Sequence, residues 1–167
     1  AYPARANMSI SIPASSGLLA DAYDVDGATT LTVTTVSASS PAGAAISVDP
    51  VTGALEFTPP PGVTGAVTFT YKVCDDGIPA PAACLDRTAT ITVSGTVVWF
   101  VDDSAAAGGN GTLSSPFQTL AQAQAAMSSG QHVFAFSGTY ATGITLPNNS
   151  WLIGQPAISG GFDSFFS

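Results

Sequence analysis

Up to about position 97, apolar residues recur at every second place in short runs, and threonine fills most of the places between. Val67, Phe69, Tyr71 and Val73 alternate with Thr68, Thr70 and Lys72, and Ala89, Ile91 and Val93 alternate with Thr88, Thr90 and Thr92. A period of two places successive side chains on opposite faces of an extended chain, so each run reads as a strand with one apolar face. Threonine suits the other face because its β-branched side chain packs well on a pleated surface. Met8, Ile10 and Ile12 repeat the pattern, as do Leu31, Val33 and Val36, then Ile46 and Val48, and then Leu55 and Phe57. Asp49-Pro50-Val51-Thr52-Gly53 is a predicted hairpin turn, and Pro59-Pro60-Pro61-Gly62 interrupts the next run. About seven short strands of this kind predict a two-sheet β-sandwich over 1–97.

After Val97 the texture changes. Val98-Trp99-Phe100-Val101 is a continuous apolar run, followed by a loop of small residues from Asp102 to Gly111. Ser115 is a good helix N-cap and Pro116 fits the first helical position. Phe117, Leu120, Gln124 and Met127 then share a helical face with Ala121 and Ala123 beside it, and Gly130 stops the helix. Strand-like runs follow at 133–136, 144–146 and 151–153. Residues 98–167 therefore read as a capping helix and the first rungs of a parallel β-helix. This half is expected to be incomplete alone, because solenoids need several stacked repeats and a terminal cap. Its open end would be covered by further chain or by another molecule, in the second case giving a filament.

Charge narrows the functions. Arg5, Lys72 and Arg87 are the only cations against 11 acidic residues, a net charge of -8. Such a chain cannot neutralise a phosphate backbone or favour an anionic membrane surface, which argues against nucleic-acid and lipid partners. Only 8% of residues are charged while 46% are hydrophobic, a balance opposite to that of a disordered chain. No apolar run approaches the roughly 20 residues of a membrane span. Ala1-Tyr2-Pro3 opens without a basic segment and an apolar stretch, as expected of a mature form or an internal piece.

Divalent cations are the natural counter-ions, and oxygen ligands point to calcium. Asp21, Asp24 and Asp26 stand three and two apart, beside a Gly27 that permits a tight turn. Asp75 and Asp76, with Asp86, add ligands if the two loops meet at one end of the sandwich. The competing reading is that these are turn residues bonding their own backbone. Cys74 and Cys84 lie ten positions apart in a Pro- and Ala-rich stretch, and a local disulfide there implies an oxidising compartment. A redox-active pair would need Cys-x-x-Cys or a helix terminus, and neither is present.

Nothing reads as a catalytic centre. His132 is the lone histidine, so a histidine metal site is ruled out, and no Gly-x-Ser-x-Gly elbow occurs. It reads as a partly exposed strand residue. Lys72 shares a face with Thr70 and Cys74 and is expected to be exposed, while Tyr71 belongs to the core face. Trp99 and Phe100 are expected to pack at the junction of the two halves, and Trp151 inside the β-helix or its cap. An aromatic sugar platform is the functional alternative.

Two stretches, Gly17-Leu18-Leu19-Ala20-Asp21-Ala22-Tyr23-Asp24-Val25-Asp26-Gly27 and Phe69-Thr70-Tyr71-Lys72-Val73-Cys74-Asp75-Asp76-Gly77, carry a family resemblance. With Leu31-Thr32-Val33 and Thr88-Ala89-Thr90-Ile91-Thr92-Val93, they resemble the bacterial Ig-like and cadherin-like repeats found in tandem in surface proteins and adhesins. Ala28 and Thr29 stand where that family often carries another Asp. Trp99-Phe100-Val101-Asp102, Gly111-Thr112-Leu113-Ser114-Ser115-Pro116-Phe117, Ser137-Gly138-Thr139-Tyr140 and Leu152-Ile153-Gly154 resemble the N-terminal cap and first turns of pectate-lyase-like right-handed β-helices. Enzymes of that architecture act through later rungs, so no catalytic residue carries over. The resemblances imply a non-catalytic structural or adhesive module of a secreted or cell-surface protein. It would act as a calcium-stiffened spacer presenting a β-helix. Its partners would be neighbouring repeats, copies of itself, surface glycans or another protein. The alternatives are a fragment of a polysaccharide-degrading β-helix enzyme and a carbohydrate-binding module.

Overall fold

A computed structural model of the chain describes residues 1–24, 30–77 and 81–155. The elements run β1 (Tyr2–Arg5), β2 (Ile10–Ile12), a 3-10 turn (Ala14–Ser16), β3 (Thr32–Val36), β4 (Ala45–Val48), β5 (Leu55–Thr58), β6 (Gly65–Cys74), β7 (Cys84–Ser94), β8 (Val98–Val101), α1 (Leu120–Ala126), β9 (His132–Ala135) and β10 (Leu152–Gly154). The described chain is mostly β, with three sheets and one short helix.

It divides into two compact units. The first takes 1–4, 9–60 and 65–93, and the second takes 5–8, 61–64 and the chain from 94 onward. The change expected after Val97 thus begins at Ser94, and the second unit also draws two four-residue pieces from inside the first half. Short segments without periodicity carry no sign of this, because their partners lie far away along the chain.

The first unit contains a four-stranded sheet in the order β1-β7-β6-β3 and a three-stranded antiparallel sheet in the order β2-β5-β4. The alternation holds in β5, β6 and β7, whereas Val36 of β3 is 38% exposed and Met8 lies outside β2 and packs in the second unit. Leu55 and Phe57 of β5, Val67 and Phe69 of β6, and Ala89, Ile91 and Val93 of β7 are all buried. The predicted turn before β5 closes as Gly53 N donates to Asp49 O at 2.9 Å, while Asp49 Oδ1 accepts the N–H groups of Val51 and Thr52. Gly53 has φ 72°, which glycine adopts without steric cost. Strand β7 begins at Cys84, five residues before the expected run, so Cys84 lies in a strand and not in a loop.

In the second unit β8, β9 and β10 form a parallel sheet, with Val98 opposite His132, Phe100 opposite Phe134, and Leu152 opposite Val133. Parallel neighbours need a crossover, and α1 lies in the one between β8 and β9. Val98, Phe100 and Phe134 form a core cluster with Met8, Leu113, Phe136 and Ile153 against it.

The helix begins later than Ser115 and Pro116 predicted. Its N-cap is Thr119, whose hydroxyl accepts Gln122 N while the Gln122 side chain returns to the Thr119 N–H. Ahead of it, Phe117 bridges to Val101 as an extended residue: Phe117 N donates to Phe100 O at 2.9 Å. A strand edge claimed the segment that the Ser-Pro pair would otherwise have started as helix. Residues 144–146 form no strand. Trp99 and Phe100 are buried in the second unit itself, and Trp151 is 60% exposed rather than interior.

Candidate functional site

Strands β6 and β7 are 10 and 11 residues long, whereas those of the three-stranded sheet have three or four. The long hairpin therefore outruns the short sheet. Along its core face burial fades: Phe69 and Ala89 are buried, Tyr71 and Val73 half-buried, and Leu85 is 55% exposed. Register keeps these on one face, since Tyr71 pairs with Arg87 and Val73 with Leu85. The result is a cleft of about 690 Å3, floored by Tyr71, Val73, Leu85 and Arg87, with Tyr2 and Leu18 at its side.

Three carboxylates, Asp21, Asp24 and Asp75, reach this cleft, together with Tyr23. The Tyr71 hydroxyl donates to Leu18 O at 3.4 Å. Burial raises the Tyr71 pKa above its usual value, and Arg87 opposes that shift. Tyr2 is raised too, first by burial and then by the neighbouring Tyr71 and Asp21.

At the hairpin end Cys74 and Cys84, directly paired across β6 and β7, form a disulfide with Cα atoms 4.1 Å apart. That spacing suits a directly opposed antiparallel pair. One residue on, Asp75 Oδ1 accepts Gly77 N at 2.8 Å and Ala83 N at 2.9 Å. The disulfide and this carboxylate together close the loop.

Residues 4–94 match the cadherin-like domain family, more than half of the chain. The chain belongs to the cadherin-like domain family. No curated protein and no solved structure matches it. The pectate-lyase-like resemblance of the second half has no counterpart in these comparisons; what stands there is a three-stranded parallel sheet.

Within the cadherin-like domain, the structure separates the five acidic positions considered for calcium. Asp21, Asp24 and Asp75 line the cleft. Asp76 does not; its Oδ2 accepts Thr30 N at 3.2 Å. Asp26 lies outside the described residues. Among the described residues no group of three or more His, Cys, Asp or Glu side chains could hold a metal ion. Asp75 spends its oxygen on two backbone N–H groups, the turn role weighed against the ligand role.

Lys72 is ion-paired to its cross-strand neighbour Asp86 at 3.3 Å, with both side chains well exposed, so the pair adds little stability. His132 begins β9 and stacks on Trp151 with ring centroids 4.8 Å apart. Its Nδ1 is buried with no hydrogen-bond partner among the described residues.

Two residues escaped the sequence reading. Arg87 continues the Ala89, Ile91, Val93 alternation upstream, and extending that run would have placed it on the core face. Tyr2 sits in β1, whose run Tyr2–Arg5 shows no apolar alternation.

Proposed function

We propose that this chain is a non-catalytic structural or adhesive module of an extracellular, cell-surface or secreted protein. Its cadherin-like part acts as a β-sandwich spacer among neighbouring repeats, and its second unit starts a parallel β-helix. The family match over 4–94 carries this reading, since a cadherin-like domain fits an adhesive or structural extracellular module. The Cys74–Cys84 disulfide supports the compartment, because such bonds persist where the medium is oxidising. Among the described residues no helix is long and apolar enough to cross a membrane. The in-register parallel ladder of β8, β9 and β10 supports the solenoid part. Calcium stiffening is left out of the proposal, because Asp75 and Asp76 accept backbone N–H groups and no group among the described residues could hold a metal ion.

Protease shaving of intact cells that make the protein tests the reading. The chain is expected among the released peptides, with Cys74 and Cys84 oxidised. Recovery only from the reduced cell interior would overturn it. Release of reducing ends from any member of a polysaccharide panel would overturn the non-catalytic part.

A second reading is favoured by the cleft. Tyr2, Tyr71 and Tyr23 beside Asp21 and Arg87 combine flat apolar rings with hydroxyl-binding groups, the chemistry of a sugar site. Glycan-array binding that Tyr71→Ala abolishes would establish it; an array without signal would dismiss it.

A further inference from the structure

The cleft beside the β6–β7 hairpin also restricts which sugar it can take. Tyr71 and Arg87 are directly opposed across the two strands, which sets their β-carbons about 5 Å apart. Val73 and Leu85 form the next pair on the same face and continue the floor as an apolar strip. The Tyr71 hydroxyl is tied to Leu18 O at 3.4 Å. Tyr71 and Asp21 both raise the Tyr2 pKa, and Arg87 acts on that of Tyr71. The two phenols therefore share the cleft with a carboxylate and a guanidinium within electrostatic reach.

Those two charges are unspent. Among the described residues, Asp21 and Arg87 make neither a hydrogen bond nor an ion pair. Asp75 differs, because its Oδ1 already accepts Gly77 N and Ala83 N, so it contributes mainly its charge. The lining sets three carboxylates, Asp21, Asp24 and Asp75, against the one guanidinium, an excess of two negative charges. With only three cations in a chain of net charge -8, no positive patch elsewhere offsets that excess.

A cleft of this sign sorts sugars by class. Uronic and sulfated sugars bring an anion to a negative lining and are repelled. Neutral sugars meet only the rings and the hydroxyl-binding groups. A sugar with a free ammonium adds a charge-assisted bond to a carboxylate and a cation–π contact with a tyrosine face.

We propose that the cleft selects amino sugars with a free ammonium group, glucosamine-type units, with the ammonium bound at Asp21. The apolar face of the sugar lies on Tyr71, Arg87 donates to its hydroxyls, and the Tyr2 ring meets the cation. Asp24 and Asp75 strengthen the attraction through their charge. The inference rests on the sugar reading of this cleft and adds the sign of charge as the selecting property.

Calorimetric titration of the full chain with glucosamine oligomers, their fully N-acetylated counterparts and uronic acid oligomers is the test. The glucosamine oligomers should bind about tenfold or more tightly than the acetylated ones, as for a hydrogen bond to a charged group. Uronic acid oligomers should not bind. The preference should shrink as salt rises from about 0.01 M to about 1 M. Asp21→Asn should abolish it and leave the affinity for acetylated sugar unchanged, while Asp21→Glu should retain it. Glu56→Gln removes an exposed charge from the three-stranded sheet and should leave the preference intact, which separates the cleft from general attraction to an acidic chain. Equal binding of the two sugars, tighter binding of uronic acids, or a preference that Glu56→Gln weakens as much as Asp21→Asn would overturn the charge selection and leave the sugar reading standing. Binding of none of the oligomers would overturn both.

Discussion

The side-chain amide of Asn7 donates to the carbonyl of Val98 at 2.9 Å, across 91 positions of sequence. The same side chain accepts Gly62 N through Oδ1 at 2.7 Å, and the Asn7 carbonyl accepts Leu113 N at 2.9 Å. Asn7 is fully buried and has φ 61°, a left-handed conformation that asparagine tolerates better than most residues. One residue thus ties three distant segments of the second unit to the edge of β8.

Asn7→Ala should therefore cost about 3 kcal/mol or more, because it strips partners from Val98 O and Gly62 N in a buried place. Asn7→Gly keeps the backbone conformation and loses only the amide, so it should be milder by about 1 kcal/mol. Urea unfolding of both variants checks this. Equal losses would show that the amide, not the backbone, carries the effect.

Removing the disulfide by the paired change Cys74→Ala and Cys84→Ala should lower stability by about 3 kcal/mol on loop-entropy grounds. Intact mass after alkylation, with and without reductant, checks the bond itself. Two labelled thiols in the unreduced protein would refute it.

Asp75→Ala should cost about 1–3 kcal/mol through the lost acceptor for Gly77 and Ala83, and Asp75→Asn should retain most of the stability. The loss should be the same in millimolar calcium and in excess chelator. A calcium-dependent difference in the melting temperatures would show that Asp75 acts as a ligand.

Alkali should unfold the protein through its tyrosines. Burial raises the pKa values of Tyr2, Tyr71 and Tyr140 above the usual 10.0, so the folded state favours their neutral form. Their contribution is complete below pH 10 and is lost as the pH rises through 10 and then through the folded values. Tyr140 adds a specific reason, since its hydroxyl lies 2.9 Å from Phe136 O and 3.1 Å from Val101 O. Absorbance near 295 nm against pH should show delayed ionisation of a tyrosine fraction, coincident with loss of near-ultraviolet dichroism. Ionisation of all tyrosines at 10 without unfolding would contradict this.

At acid pH the sign reverses for Asp49, which backbone N–H bonds from Thr52 and Val51 hold below its usual 3.8. Its contribution is present above that value and fades as the pH falls through the lowered one. Amide exchange at Val51 and Thr52 should accelerate there before the β5–β6 core opens. Unchanged protection down to pH 2 would argue against it.

The sequence by itself determined the buried faces of β5, β6 and β7. Burial of Val67, Phe69, Ala89 and Ile91 follows from a period of two, and that period is a local property of side-chain direction. It also located the Asp49–Gly53 turn and the cysteine pair, both of which depend on a few neighbouring residues. Tertiary structure decided what depends on length mismatch and distant partners. The cleft exists because β6 and β7 outrun a shorter sheet, and Arg87 enters it through pairing with Tyr71. The helix starts at Thr119 and not at Ser115 because β8 recruits Phe117 as an edge partner, and those backbone bonds outweigh a local capping preference. Asn7 carries no pattern around it; only the folded chain brings it to Val98, where a buried carbonyl needs a donor.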